Sequence, residues 1–167
     1  MKLAIESKNF VIYLKKFQQW LKPLVLPMKR KGIMSFKIIT IDDDPLVRET
    51  LQRYLVNAGF VVEQASDGVE GIEVIKKNPD CHLIITDLNM PNMTGIEMLE
   101  RLANDKMAVD VPKIMLTTEF ITDKKHENIM DKKGKQLGVR AWFIKPVSEE
   151  KAPHFIGIVN ALVEGKK

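Results

Sequence analysis

The chain holds a single cysteine, Cys81. No intramolecular disulfide can form, so a reducing compartment, the cytoplasm, is expected. No apolar run approaches the roughly 20 residues that a membrane-spanning helix needs, so stable membrane insertion is not expected. Glycine (9) and proline (8) are sparse in 167 residues, which sets aside collagen-like and low-complexity chains. No internal repeat is visible. His82, His126 and His154 lack metal-ligand spacing, so packing or surface roles are expected of them. What remains is the composition of a globular protein, 45% hydrophobic and 29% charged, with length enough to bury a core without staples.

The net charge of +4 is unevenly spread. Residues 1–35 carry eight Lys/Arg against Glu6, a net +7, which leaves −3 for residues 36–167. A mildly acidic body offers no footprint for nucleic acid, and no such partner is expected. Phe10, Leu14, Phe17, Leu21 and Leu24 recur at helical spacing among Lys8, Lys15, Lys16 and Lys22. Residues 1–33 therefore read as a basic amphipathic extension closed by Pro23 and Pro27. Lys15 and Lys16 interrupt the apolar stretch, which argues against a secretory signal. Three readings stay open: a helix on an anionic membrane surface, a segment packed on a partner or on the main domain, or a stretch outside the native chain. The last is preferred, because Met34 stands just before the first predicted strand and suits a start. The main domain is then 34–167.

From Phe36 onward, apolar β-branched runs alternate with helix-period stretches. The runs are 36–41, 60–65, 82–86, 113–117 and 139–144. A first helix is expected to start at Asp44-Pro45, a cap followed by proline at the first helical position, and to stop at Gly59. A second follows Asp67 and stops before Asn78-Pro79. A third opens with Thr94-x-x-Glu97, the spacing of a capping box. A fourth lies within about 121–137 and a fifth within about 149–164. Five strands alternating with five helices imply βαβ units, a parallel sheet and helices on both faces.

In open α/β sheets, ligands bind beyond the carboxyl ends of the strands. The first strand ends at Asp42-Asp43-Asp44, the third at Asp87, the fourth at Thr117-Thr118 and the fifth at Lys145-Pro146. Asp44 before Pro45 reads as a helix cap. The remaining acids would repel one another in a common cleft unless a cation were present, and Mg²⁺ held by carboxylates and water is the natural solution. A carboxylate can also attack phosphorus to give an aspartyl phosphate. Mg²⁺, an ammonium and a hydroxyl are the groups that would stabilise the transferred phosphoryl charge. Asp42, Asp43, Asp87, Thr117 and Lys145 thus form a complete set for phosphoryl transfer to Asp87.

The run Ile38–Pro45, the segment Ile84–Gly95, the pair Leu116-Thr117 and the dipeptide Lys145-Pro146 occur in order. On these motifs the chain, from Met34 onward, resembles the response regulator receiver domain of two-component signalling, and within it the single-domain chemotaxis members. The resemblance implies a doubly wound (βα)5 flavodoxin-like sheet of strand order 2-1-3-4-5. It implies that Asp87 is the phosphoacceptor, that Asp43 is a direct Mg²⁺ ligand with Asp42 acting mainly through water, and that Asn89 lends its backbone carbonyl to the metal. Thr117 matches the switch hydroxyl, Lys145 its lysine partner and Trp142 the switch aromatic. Asn89 and Glu119 match the positions that tune hydrolysis, and Pro146 matches a proline after a cis peptide.

The implied partners are a sensor histidine kinase of the chemotaxis type and a downstream protein such as a flagellar motor switch protein or a histidine phosphotransferase. A phosphatase would complete the set. The implied role is a phosphoacceptor signalling protein that acts only on its own phosphorylation state, not an enzyme with turnover. No effector domain follows the last predicted helix, so output is expected through protein contact. Three departures touch the expected recognition surface: Val147 where the family usually has phenylalanine, a longer lysine-rich stretch between Thr117 and Lys145, and Pro153 early in the last helix. A phosphorelay intermediate is the alternative within this class. From another class, Asp42-x-Asp44 mimics the signature of a Mg²⁺-dependent haloacid-dehalogenase-type phosphatase. A degenerate receiver used as a scaffold is the third reading.

Overall fold

The computed structural model describes residues 35–118 and 129–165. The 1–33 extension, Glu119 and the first part of the fourth expected helix, residues 121–128, lie outside the described residues. Strands β1 (Lys37–Ile41), β2 (Val61–Ala65), β3 (Leu83–Asp87), β4 (Lys113–Thr117) and β5 (Val139–Ile144) form one parallel sheet in the order β2-β1-β3-β4-β5. The parallel direction is the one expected from the alternation of strands and helices, and the order is the one the family resemblance implies. Helices α1 (Pro45–Asn57), α2 (Gly68–Lys77), α3 (Gly95–Asn104) and α4 (Ala152–Glu164) complete the described regular structure, with a π-helical turn at Ile129–Gly134 ahead of β5.

The strand side chains alternate between two cores, as a pleated strand buried on both faces requires. Ile39, Ile84 and Met115 join Ile72, Ile75, Met98, Leu99 and Leu102 of α2 and α3 on one face. Ile38, Ile85, Ile114 and Leu116 join Leu51 and Leu55 of α1 and Phe155, Val159 and Val163 of α4 on the other. Cys81 is buried in the first core. Val147, one of the sequence departures, is buried in the second. His82 and His154 make edge contacts with Phe36 and Phe143, which are packing roles.

The helix ends follow from local chemistry. Asp44 accepts the Leu46 N–H at 2.8 Å, with Pro45 next in line. At the far end of α1, Phe60 N–H reaches the Leu55 carbonyl and Gly59 N–H the Val56 carbonyl, with Gly59 at φ +94°. That pair of bonds is a Schellman closure, which needs a left-handed residue at the Gly59 position. Asp67 accepts from Val69 and Glu70 to start α2, and Thr94 and Glu97 form the reciprocal capping box of α3. The last helix spans Ala152–Glu164, inside the expected 149–164, with Pro153 in its first turn. Proline lacks an N–H and suits that turn.

Candidate phosphoryl-transfer site

Parallel register brings the sequence-predicted residues to one edge of the sheet. Ile41 stands beside Thr86, Asp87 beside Leu116, and Thr117 beside Ile144. Asp42, Asp87, Thr117 and Lys145 therefore emerge side by side at the carboxyl ends of four strands. The backbone seals the row: Leu88 N–H donates to the Leu116 carbonyl at 2.9 Å, and Lys145 N–H to the Thr117 carbonyl at 2.8 Å.

Lys145 organises the side chains. Its ammonium lies 2.9 Å from an Asp42 oxygen and 2.8 Å from an Asp87 oxygen. Carboxylate oxygens of Asp42, Asp43 and Asp87 all lie within 4.8 Å of one another. Asp42 is fully buried and Asp87 4% exposed, whereas Asp43 faces solvent. Burial raises the Asp42 carboxyl above its ordinary value, and the hydrogen bond from Lys145 opposes that rise. Burial alone would lower the Lys145 ammonium, but hydrogen bonds to Asp87 and Asp42 and the charges of those two groups together outweigh it and hold the group above its ordinary value. The ammonium therefore stays charged.

Three carboxylates against one ammonium leave an excess of negative charge on a buried floor with one open side. Such a donor set, all oxygen and open to water through Asp43, fits a hard divalent cation. It fits neither a thiolate site nor an imidazole site. The third acid of the run, Asp44, is spent as the α1 cap. Thr117 is buried at the end of β4. Asn89 is exposed on the loop after β3, and Trp142 is half-buried against the first core. The Lys145-Pro146 peptide is cis.

Two residues near the site escape sequence reasoning. Arg48, half-buried on α1, donates from Nη1 to the Asp42 carbonyl at 2.7 Å and the Asp43 carbonyl at 3.1 Å. A cation close to a helix N-terminus opposes the helix dipole, and that misplacement was the available signal. Asn92, at φ +64°, ties the loop after β3 to the α2 cap through its amide and Asp67, 3.2 Å apart. Nothing in the sequence pattern marks that pairing.

Comparison with known proteins agrees with this geometry. The family model described as the response regulator receiver domain matches residues 38–156. A chemotaxis protein CheY homolog of Campylobacter jejuni is 34% identical over 115 residues, covering 68% of this chain and 84% of its own. Chemotaxis protein CheY-3 of Vibrio cholerae is 32% identical over 113 residues, covering 67% and 82%. Among solved structures, chemotaxis protein CheY4 of Vibrio cholerae superposes with a TM-score of 0.65 at 30% identity, covering 77% of this chain and 99% of that one.

Proposed function

This chain belongs to the response regulator receiver domain family, and from that premise we propose that it is a phosphorylation-controlled signalling protein in which Asp87 accepts a phosphoryl group from a sensor histidine kinase. The observation that carries this reading is the Lys145 ammonium shared between Asp42 and Asp87 at the carboxyl edge of the sheet.

An Asp87 carboxylate oxygen attacks the phosphorus of a phosphohistidine in line. The new P–O bond forms as the P–N bond breaks, and the imidazole nitrogen leaves with the electron pair and takes up a proton. Lys145 stays protonated throughout and pairs with a phosphoryl oxygen, and the Thr117 hydroxyl donates to another. Asp42, Asp43, Asp87 and the Asn89 backbone carbonyl would hold Mg²⁺, which when bound supplies positive charge against the transferring phosphoryl group. The phosphate then shifts the balance between two arrangements of the face around Trp142 and β5. Asn89 and Glu119 tune hydrolysis in this reading. The protein turns over nothing but its own phosphoryl group.

The chemotaxis relatives favour a CheA-like kinase as donor, a flagellar motor switch protein as target and a cytoplasmic setting, with a phosphatase to reset the signal. The phosphatase reading of Asp42-x-Asp44 is set aside, since Asp44 caps α1.

Intact mass spectrometry after incubation with acetyl phosphate tests the proposal, run on wild type and Asp87→Asn, with and without Mg²⁺. One phosphoryl adduct that needs both Mg²⁺ and Asp87 is expected. No adduct where a known receiver labels would overturn it and favour a scaffold. Steady consumption of acetyl phosphate by Asp87→Asn at the wild-type rate would place the chemistry elsewhere.

A further inference from the structure

We propose that Arg48 is a positioning residue for the cation site: it clamps the backbone of the acidic pair so that the Asp42 and Asp43 carboxylates are held ready as ligands. The inference rests on the Mg²⁺-binding reading above.

Three consecutive carbonyls are tied to this one residue. The Arg48 guanidinium donates to those of Asp42 at 2.7 Å and Asp43 at 3.1 Å, and its own N–H donates to that of Asp44 at 3.1 Å. Arg48 is itself anchored to the sheet, because the Gln64 side-chain amide of β2 donates to its carbonyl at 2.9 Å. The side chain thus holds the carbonyls of Asp42 and Asp43, while that of Asp44 takes the first helical bond of α1, which any residue at 48 would make. Within that turn, Asp44 N–H donates back to an Asp42 carboxylate oxygen at 3.0 Å, which fixes one of the buried side chains by the same backbone. A planar guanidinium presents several donors in a rigid fork, whereas a lysine ammonium is a point charge on a flexible stem.

The field of Arg48 and its geometry act in opposite directions, and this makes the claim testable. A positive charge this close to the acidic pair opposes a cation through its field. Neutralising an arginine that acted only by charge would tighten Mg²⁺ binding. Removing a clamp would loosen it, because the liganding carboxylates would have to be ordered at the moment of binding.

Isothermal titration with Mg²⁺ alone, on the full chain, separates these cases for wild type, Arg48→Lys and Arg48→Met. Thermal melts in metal-free buffer fix a temperature at which each variant is fully folded. The expected result is a roughly ten-fold weaker Kd for Arg48→Met, the low end of what supporting hydrogen bonds are worth at metal sites, and an intermediate loss for Arg48→Lys. Unchanged or tighter binding by folded Arg48→Met overturns the proposal. Should Arg48→Met not fold, Arg48→Lys decides: its charge is that of wild type, so weaker binding supports the clamp and equal binding overturns it. Failure of wild type itself to bind Mg²⁺ sinks the cation-site reading, and the clamp with it.

Discussion

The Lys145 ammonium stands 2.8 Å from an Asp87 carboxylate oxygen, although β4 separates the strands that carry the two residues. The same ammonium lies 2.9 Å from Asp42, one strand further on. A single long side chain thus spans the functional edge of the sheet. It holds a positive charge where, on the proposed function, the anionic oxygens of a phosphoryl group on Asp87 would meet it.

Replacing Lys145 by glutamine removes the only described ammonium in hydrogen-bond contact with these two carboxylates. Removing one partner of a buried ion pair costs about 3–5 kcal/mol, and a loss of that order is the expected fall in stability of Lys145→Gln in metal-free buffer at neutral pH. A divalent cation would then relieve more repulsion in the variant than in wild type. Mg²⁺ should therefore raise the melting temperature of Lys145→Gln by the larger amount. Equal melting temperatures for the two proteins, with and without Mg²⁺, would show that the bridge contributes nothing.

Gly95 and Gly157 make a paired prediction. A Cβ at Gly95, the first residue of α3, would overlap the Asp87 backbone carbonyl oxygen, whereas one at Gly157 in α4 meets nothing within 4 Å. Gly95→Ala must push the α3 start away from Asp87, an overpacking cost of about 1–3 kcal/mol, and on the proposed function should slow labelling by acetyl phosphate. Gly157→Ala sits on an exposed helix face and should add about 0.5–1 kcal/mol. Chemical denaturation of both variants reads the contrast, and shifts of the same sign would refute it.

Lys106 occupies a position that favours glycine. It sits at φ +55° beyond the end of α3, where Met107 N–H reaches the Leu102 carbonyl at 2.8 Å and Lys106 N–H reaches that of Ala103 at 3.1 Å. The left-handed region costs an L-residue roughly 1–2 kcal/mol, and glycine returns part of that as extra unfolded-state entropy. Lys106→Gly should gain a net of about 0.5–1 kcal/mol in urea unfolding. A loss of stability would mean that the lysine stem packs usefully on its neighbours.

The sheet was legible because its strands are short β-branched runs and the first three intervening helices announce their own caps: Asp44, Asp67 and Thr94 all serve as N-caps. The acidic edge was legible because parallel strands deliver their following residues to one side, whatever the sequence distance between them. Arg48 was not legible from periodicity, since a side chain reaching back to carbonyls leaves no periodic trace, and only its place against the α1 dipole hinted at a role. Lys113 was not either. It begins a strand that reads as apolar, yet it is 4% exposed, with its ammonium donating to the carbonyls of Ala108 and Val109. Pairings with backbone depend on where a loop turns, and a one-dimensional pattern does not encode that.

Acid sensitivity should come from paired carboxylates, three of them at helix N-termini. The Asp67 carboxyl is held below its ordinary 3.8 chiefly by the Glu70 N–H, and Glu70 below 4.5 chiefly by the Ser66 hydroxyl. Glu97 is lowered mainly by the Thr94 N–H, and Glu73 and Asp80, paired with Lys76 and Lys37, shift the same way. A group whose folded value is depressed binds its proton more readily in the unfolded chain. It adds stability above its ordinary value and surrenders it as pH falls through the folded value. Asp42 works in reverse: burial raises it, so ionisation costs stability and protonation restores it. Lys145, raised from 10.5, stays charged throughout and is silent here. The five depressed carboxylates predict a falling stability below about pH 4.5 in metal-free buffer, a fall that protonation of Asp42 opposes. Asp67→Asn keeps a capping oxygen but cannot titrate, so its curve should be flatter at the acid end. Asp42→Asn, which removes the opposing group, should make the fall steeper. Urea unfolding from about pH 6 down to about pH 3 at constant ionic strength reads both slopes. An Asp67→Asn curve that runs parallel to wild type would assign the acid response to other groups.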